Sequence, residues 1–340
     1  MKVLVDGAFW SPYASEGRWA WNTCRLLAKM NVELCLYIPN PAWDHAYFRD
    51  FNPLNWFPKA RLVYPGTTEE FDVMITIQGN DPRPGIIAKK RIASIFEGYW
   101  YGNQFESFGF PRDTTWCYAI QPYKQEYPHN NWPDRKLSLL PYSPYYEPTS
   151  NNFKNKGILL TMKDPTSPEV TEETALARIN HLMAALHFLE RGIKVSVAMG
   201  HRLDVTQNPK NTDIVTDALN ELAELGATFY NKQPPHLMEK LIREHSVIYT
   251  GKVGNSILYA AFQDALCLGS FPLIWTDWPE QFFRDPNLFE PYRGMGHLID
   301  RTSRLLEDQE VYSQELEKLR SNIDLYTEEQ GIEILKGLIG

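Results

Sequence analysis

The sequence has few of the features that mark secreted, disulfide-bonded or membrane-spanning proteins. Its 340 residues include four cysteines, none in a C-x-x-C pair and each within an apolar segment, so we expect reduced core residues. The N-terminal segment carries Asp6 where a signal peptide needs an apolar stretch. The longest apolar stretch, 253–275, is interrupted by polar residues, glycine and proline. We therefore expect a cytoplasmic protein without membrane insertion.

Several nucleotide- and metal-binding motifs are also absent. The first strand-turn-helix segment, DGAFWSPYASEGRW, lacks G-x-G-x-x-G, and the chain has neither a Walker P-loop nor H-E-x-x-H. His181 and His187 are six residues apart and do not share a helix face, so we expect no zinc site there. No D-x-D triplet occurs, which removes a common way of holding a metal-bound nucleotide.

The balance of charge and hydrophobicity sets further limits. A formal net charge of −8 argues against binding nucleic acid over the whole surface, although it leaves room for a local basic groove. With 43% hydrophobic residues the chain can bury large cores, and its length suggests about two domains. Aromatic residues are frequent in loop-like stretches such as 99–101. They predict either small local cores or surfaces that stack on sugars or bases.

Short apolar runs alternate with helical patterns in both halves of the chain. The first half has predicted strands at 3–5, 32–38, 61–64, 72–77, 91–96, 116–120 and 137–140, and a helix at 18–30. The second half has strands at 158–160, 194–199, 227–230, 247–249 and 271–275, with helices at 172–191, 213–225, 235–245, 256–268, 296–307 and 310–326. Such alternation predicts parallel sheets with crossover helices.

A segment rich in proline, serine and asparagine, 141–156, separates the two halves and is typical of a linker. We therefore predict an α/β protein of two Rossmann-like domains that face each other across a cleft. The predicted bounds are 1–145 for the first domain, 146–156 for the linker, 157–315 for the second domain and 316–340 for a C-terminal helix.

Ligands of such sheets bind where the parallel strands end, close to helix N-termini. The residues that follow predicted strands are therefore candidates for a site. They are Asp6, Gly7, 78–81, Glu97, Gly98, Lys163, Gly200, His201, Gly251, Lys252 and Asp277.

The stretch QDALCLGSFPLIW, 263–275, places Asp264 inside an otherwise apolar run. Its D-A-L-C-L-G followed by F-P-L-I resembles the E-A-x-x-x-G and P-V-I pattern of GT-B glycosyltransferases, with Asp in place of Glu. This resemblance implies two Rossmann-like domains, a nucleotide-sugar bound by the second domain, an acceptor bound by the first, and no required metal or tightly bound cofactor. It also implies that Asp264 accepts hydrogen bonds from the donor ribose. The alternative is a solvated carboxylate on a helix, and Ser256 stands where many members have a second Glu.

Other segments resemble the phage DNA glucosyltransferases of the same fold, which act on hydroxymethylcytosine. These segments are MKVLV, FDVMIT, KRIASIFE and HLIDR. The resemblance implies that Glu97 is the general base and that double-stranded DNA is a partner, with Tyr99 and Trp100 stacking on or wedging beside a flipped base. The alternative for Glu97 is a cap on the following turn.

The diphosphate of a nucleotide-sugar requires cations or helix N-termini. We predict Lys163 and Arg178 as the first candidates, with Lys252 and Arg202 as further ones, although a single such residue is often only a surface charge. Gly200, at the end of a strand, completes the predicted donor side. Members of the fold often place a glycine turn before the first helix, which implies a donor contact at Gly17 and acceptor or phosphate contacts at Glu16 and Arg18.

The predicted activity is transfer of a sugar from a nucleotide-sugar, such as a UDP-sugar, to a hydroxyl acceptor. A hydroxymethylated pyrimidine in DNA, a glycan, a lipid or a small molecule are the acceptors left open. A sugar-nucleotide epimerase of the same fold and a binding module without catalysis remain as alternatives.

Overall fold

The computed structural model describes residues 1–7, 15–39, 52–77, 83, 85–95, 109–119, 138–162, 172–199, 212–231, 233–250, 260–274, 283–288, 290 and 292–340. The chain divides into two compact units. The first comprises residues 1–145 and 326–340, and the second comprises residues 146–325.

The first unit contains a parallel sheet of seven strands within the described residues. The strands are β1 (Lys2–Asp6), β2 (Glu33–Tyr37), β3 (Arg61–Val63), β4 (Glu70–Thr76), β5 (Ile87–Ile95), β6 (Thr115–Tyr118) and β7 (Ser138–Leu139). Their order is β3-β2-β1-β4-β5-β6-β7. Because β1 pairs with β2 on one side and β4 on the other, the direction of winding changes between β1 and β4.

Two helices of the first unit flank its core. Helix α1 (Ser15–Leu27) packs on β1 so closely that a Cβ on Gly7 would lie 2.3 Å from Ala20 Cβ, and glycine alone permits this contact. The last helix of the chain, which we number α8 (Glu328–Ile339), begins with a capping box formed by Thr327 and Gln330 and packs on α1.

The second unit has a parallel sheet of five strands within the described residues. Its strands are β8 (Gly157–Met162), β9 (Lys194–Met199), β10 (Thr228–Asn231), β11 (Val247–Thr250) and β12 (Phe271–Ile274), in the order β10-β9-β8-β11-β12. The direction of winding changes between β8 and β11. The described helices of this unit are α2 (Glu172–Glu190), α3 (Thr212–Glu224), α4 (Pro235–Arg243), α5 (Ala260–Leu268), α6 (Met295–Glu307) and α7 (Gln309–Ser321).

The amino edge of the second sheet, where its strands begin, is held by buried and partly buried hydrogen bonds. Asn152 Nδ2 donates to Leu268 O at 2.9 Å and to Ser270 Oγ at 2.8 Å. The Tyr312 hydroxyl lies 2.8 Å from Ser246 O and 2.9 Å from Gly269 O. These contacts fasten the segment before β8 and helix α7 to the start of β11 and β12.

Glycines in the left-handed region end three of the described helices of this unit. Gly226 follows α3 with φ +97°. Gly192 follows α2 with φ +79°, and Gly269 follows α5 with φ +90°. A Cβ on Gly192 would meet no atom within 4 Å, whereas a Cβ on Gly269 would lie 2.7 Å from the carbonyl carbon of Ser150. At Gly269 the close approach of the backbone adds to the requirement for glycine.

The predicted fold class is confirmed as two α/β units with parallel sheets. The chain leaves the first unit after Tyr145, so residues 141–145 belong to that unit and are buried. Residues 316–340 are predicted as one C-terminal helix, but the structure has the end of α7 and the separate helix α8 there, in different units.

All four cysteines are buried and free of disulfides. Within the described part of the chain, no helix combines the length and the apolar character needed to span a membrane.

Candidate functional site

Most residues predicted for the site follow strands of the two sheets. Six of them, however, lie outside the residues that the structure describes. These six are Glu97, Tyr99, Trp100, Lys163, Gly200 and Lys252. The same holds for Arg202. The structure describes Asp264, Arg178, Gly17 and Arg18, and it describes the backbone of Glu16. It places the first two in the second unit and the others in the first.

Asp264 lies on α5 and is fully buried. The alternative interpretation as a solvated helix residue is therefore wrong. Helix α5 is apolar apart from this carboxylate and its neighbour Gln263, which is also buried. The carboxylate contributes to the raised pKa of the Cys267 thiol one turn later, after the larger effect of burial.

Helix α5 joins two parallel strands, β11 and β12, so it runs from the carboxyl edge of the sheet, where strands end, back to the amino edge. Its last carbonyls are bonded at the amino edge. Leu266 O accepts from Arg320 Nε at 2.9 Å, and Cys267 O accepts from the backbone nitrogen of Glu147 at 3.0 Å. Asp264 is the fifth of the nine residues of α5 and thus lies at its middle, before the carbonyls that are bonded at the amino edge.

Arg178 lies about two turns into α2, the helix that begins at the carboxyl edge after β8, and is half-buried. The segment between β8 and α2 contains Lys163 and is outside the described residues. Arg178 and Asp264 therefore belong to helices that start at the same edge of one sheet.

A buried aromatic cluster that the sequence did not indicate supports α2 and β11. His181 on α2 stacks on Tyr249 with ring centroids 5.2 Å apart, and its Nε2 lies 2.8 Å from the Tyr292 hydroxyl. The Tyr249 hydroxyl bonds to Thr302 Oγ1 at 2.8 Å. Burial lowers the pKa of His181 from its ordinary 6.5 to about 3, so the ring is neutral at neutral pH. This cluster fixes α2 and α6 against the strand at which the winding changes direction.

The first unit differs from expectation at α1. The sequence predicts a glycine turn at Gly17 before a helix that starts at Arg18, but α1 begins at Ser15. Gly17 and Arg18 therefore lie within its first turn, as does Glu16, and the predicted glycine turn is wrong. Gly17 and Arg18 are both buried.

An ion pair at the end of β1 was not predicted, although Asp6 was identified as a residue following a strand. Arg83 Nε donates to Asp6 Oδ2 at 2.8 Å, and the guanidinium lies 5.2 Å from the ring centroid of Tyr37. Arg83 has φ +48°, which is uncommon for a residue other than glycine. The pair sits at the carboxyl edge beside the point where the first sheet changes its direction of winding.

The described residues contain no group of three or more His, Cys, Asp or Glu side chains able to hold a metal ion. His181 bonds to Tyr292, and His245 lies 2.6 Å from Leu241 O and 2.8 Å from Ser196 Oγ.

No protein-family model matches the sequence, and no relative is found among curated proteins. Solved structures do match over nearly the whole chain. A glycosyltransferase from Rickettsia africae has a TM-score of 0.58 at 9% identity, covering 99% of this chain and 97% of that one. The structure of HepE from Anabaena with UDP and glucose has a TM-score of 0.55 at 7% identity, with 99% and 98% covered.

The chain has the GT-B fold. A putative UDP-N-acetylglucosamine 2-epimerase from Listeria monocytogenes also matches, with a TM-score of 0.53 at 11% identity over 98% of this chain and 94% of that one. The DNA-modifying enzyme β-glucosyltransferase matches with a TM-score of 0.48 at 11% identity, over 100% of this chain and 99% of that one. A match at that level adds nothing to the question of the acceptor.

Proposed function

We propose that this chain is a glycosyltransferase that moves a sugar from a nucleoside diphosphate to a hydroxyl acceptor. The observation that carries the proposal is the buried carboxylate of Asp264 in a unit with GT-B topology, on the helix that leads from β11 to β12. Similarity to structures of glycosyltransferases, one of them with UDP and glucose, supports it.

In this proposal Asp264 accepts hydrogen bonds from the two ribose hydroxyls of the donor. One carboxylate offers two oxygens to a vicinal diol, and a charge-assisted hydrogen bond made away from water is stronger than a neutral one. Because Asp264 has no exposed surface, neighbouring side chains must move before a ribose reaches it.

The other roles are assigned from sequence. Lys163 or Arg178 neutralises the leaving diphosphate, with Lys252 and Gly200 on the donor side. Glu97 removes the acceptor proton if the anomeric configuration inverts. Glu16, Arg18, Tyr99 and Trp100 contact the acceptor.

As the acceptor we propose a hydroxymethylated pyrimidine in DNA. This part of the proposal rests only on the sequence resemblance to phage DNA glucosyltransferases. A sugar-nucleotide epimerase is the second candidate function, because the putative epimerase from Listeria monocytogenes matches over a similar share of the chain. An epimerase releases an altered nucleotide-sugar without any acceptor.

The donor site is tested with Asp264→Asn, which keeps the volume of the side chain and removes its charge. We expect binding of a UDP-, TDP- or GDP-sugar to weaken by about 1–3 kcal/mol, as for loss of a charge-assisted hydrogen bond, in isothermal titration calorimetry. The control is Asp300→Asn, which changes an exposed aspartate on α6. If the wild type, Asp264→Asn and Asp300→Asn bind the nucleotide-sugar with equal affinity, Asp264 does not contact the donor.

The reaction is tested by incubating the protein with a panel of nucleotide-sugars and acceptors, including hydroxymethylated DNA. Mass spectrometry of the digested nucleosides should show the mass of one added hexose or pentose if the DNA proposal is right. Absence of a mass shift with every donor would reject the DNA acceptor. Release of an altered nucleotide-sugar without acceptor would favour the epimerase.

A further inference from the structure

Gln263 differs from the other buried side-chain amides among the described residues. It is only 4% exposed, and its Nε2 is buried with no hydrogen-bond partner among the described residues. Asn22 and Asn322 are buried to a similar degree, yet each donates its amide to a backbone carbonyl. Asn22 Nδ2 lies 2.7 Å from Tyr142 O, and Asn322 Nδ2 lies 2.7 Å from Asp285 O.

A buried amide donor without an acceptor is costly, because it loses its hydrogen bonds to water and gains nothing in return. Native proteins leave few such groups, and each one calls for an explanation. An apolar residue at position 263 would continue the apolar character of α5 and avoid this cost. The described residues supply no acceptor for this amide, so its partner lies outside them.

The position of Gln263 favours a ligand as that partner. Helix α5 starts on the side of the carboxyl edge, and the hydrogen bonds of the amino edge reach only its last residues, including Leu268 O. Gln263 lies five residues before Leu268, which corresponds to about 7 Å along the helix toward the carboxyl edge. Ligands of doubly wound sheets bind at that edge.

We propose that the Gln263 amide donates a hydrogen bond from Nε2 to an oxygen of the donor nucleotide. This inference rests on the proposed function and adds a residue to the same site. Gln263 and Asp264 project about 100° apart on the helix, so they contact different atoms of the ligand. One supplies a donor and the other an acceptor, which suits a nucleoside diphosphate that presents hydroxyl and phosphate oxygens together.

The test uses Gln263→Met, which keeps the length of the side chain and removes its polar atoms. The control is Gln314→Met, which changes an exposed glutamine on α7. Thermal unfolding of each protein without ligand and calorimetric titration with UDP, TDP and GDP are measured on the full chain. We expect Gln263→Met to unfold at the same or a higher temperature than the wild type, and to bind the preferred nucleotide about tenfold more weakly.

Three results would overturn the inference, and they differ in what else they reject. If Gln263→Met binds a nucleotide as tightly as the wild type and Gln314→Met do, the amide is satisfied by buried water and has no ligand role. If the wild-type protein binds none of the three nucleotides, the proposed function fails and the role of Gln263 fails with it. If Gln263→Met instead unfolds at a much lower temperature, the amide is structural, which also contradicts the inference.

Discussion

At the amino edge of the second sheet, buried and half-buried polar side chains bond to one another and to backbone carbonyls. Toward the carboxyl edge, the buried Nε2 of Gln263 has no such partner in the part of the chain that the structure describes. Asn152 and Ser270 illustrate the first case. Asn152 Nδ2 donates to Leu268 O on α5 and to Ser270 Oγ, and Ser270 Oγ donates to Ile242 O on α4. Polar residues at the amino edge therefore stabilise the fold, whereas Gln263 is retained at a cost to stability, as expected of a residue in a binding site.

The largest effect should come from Gly269→Ala at the amino edge. The new Cβ would lie 2.7 Å from the carbonyl carbon of Ser150, and the backbone has φ +90°. We expect the free energy of unfolding of the second unit to fall by roughly 2–4 kcal/mol, measured by chemical denaturation. The control is Gly192→Ala, with similar φ and no neighbour within 4 Å, which should cost roughly 1–2 kcal/mol. Equal losses would show that the segment around Ser150 moves aside.

The next effect is a dependence of the free energy of unfolding on pH, which two buried histidines cause. His245 at the amino edge has its pKa lowered to about 4 by burial, and the pKa of His181 beside Tyr249 is lowered to about 3. Below about pH 6.5 both histidines take up protons in the unfolded chain but not in the folded chain. Their contribution to stability is therefore complete above that pH and is lost as the pH falls toward their pKa values in the folded protein.

Between pH 7.5 and 5.5 each of these histidines should lower the free energy of unfolding by about 1.3 kcal/mol. Denaturation series at several pH values should therefore show a shallower slope for His181→Gln and for His245→Asn than for the wild type. A slope unchanged by His181→Gln would mean that this ring is protonated in the folded protein.

The smallest effect should come from Tyr312→Phe. The hydroxyl that lies near the carbonyls of Ser246 and Gly269 is lost, but both carbonyls keep a backbone donor, from Phe271 and Asn152. We expect the free energy of unfolding to fall by about 1 kcal/mol. Tyr230→Phe, on the partly exposed strand β10, serves as the control and should change stability little. A larger loss for Tyr230→Phe would contradict the assignment of the amino edge as the stabilised one.

The strands of the second sheet could be predicted closely because buried parallel strands are short apolar runs with clear ends. The bounds of β9, for example, are those predicted, and Gly192 ends the preceding helix as expected. β5 starts at Ile87, four residues before the predicted start at residue 91. The prediction missed this first half because Lys89 and Lys90 interrupt its apolar pattern. β-Pairing with β4 decides that start, and pairing partners are not visible in a local pattern.

The candidate site was only partly visible in the sequence. The polar pair Gln263 and Asp264 inside an apolar helix could be seen, but its burial could not, because α4 and α7, which pack on α5, lie elsewhere in the sequence. The contact between Asp6 and Arg83 joins residues 77 positions apart, and no spacing pattern indicates it. Tyr292 and Thr302 likewise reach the His181 cluster only through tertiary packing.

The return of residues 326–340 to the first unit has a consequence for biosynthesis. The ribosome must make all of residues 146–325 before α8 is available to pack on α1 through Leu26 and Gly331. The second unit is continuous in sequence and can fold while the first still lacks its last helix, which reverses the usual N-terminal-first order. A fragment that represents the first unit must accordingly join residue 145 to residue 326, whereas the second can be expressed as one uninterrupted piece.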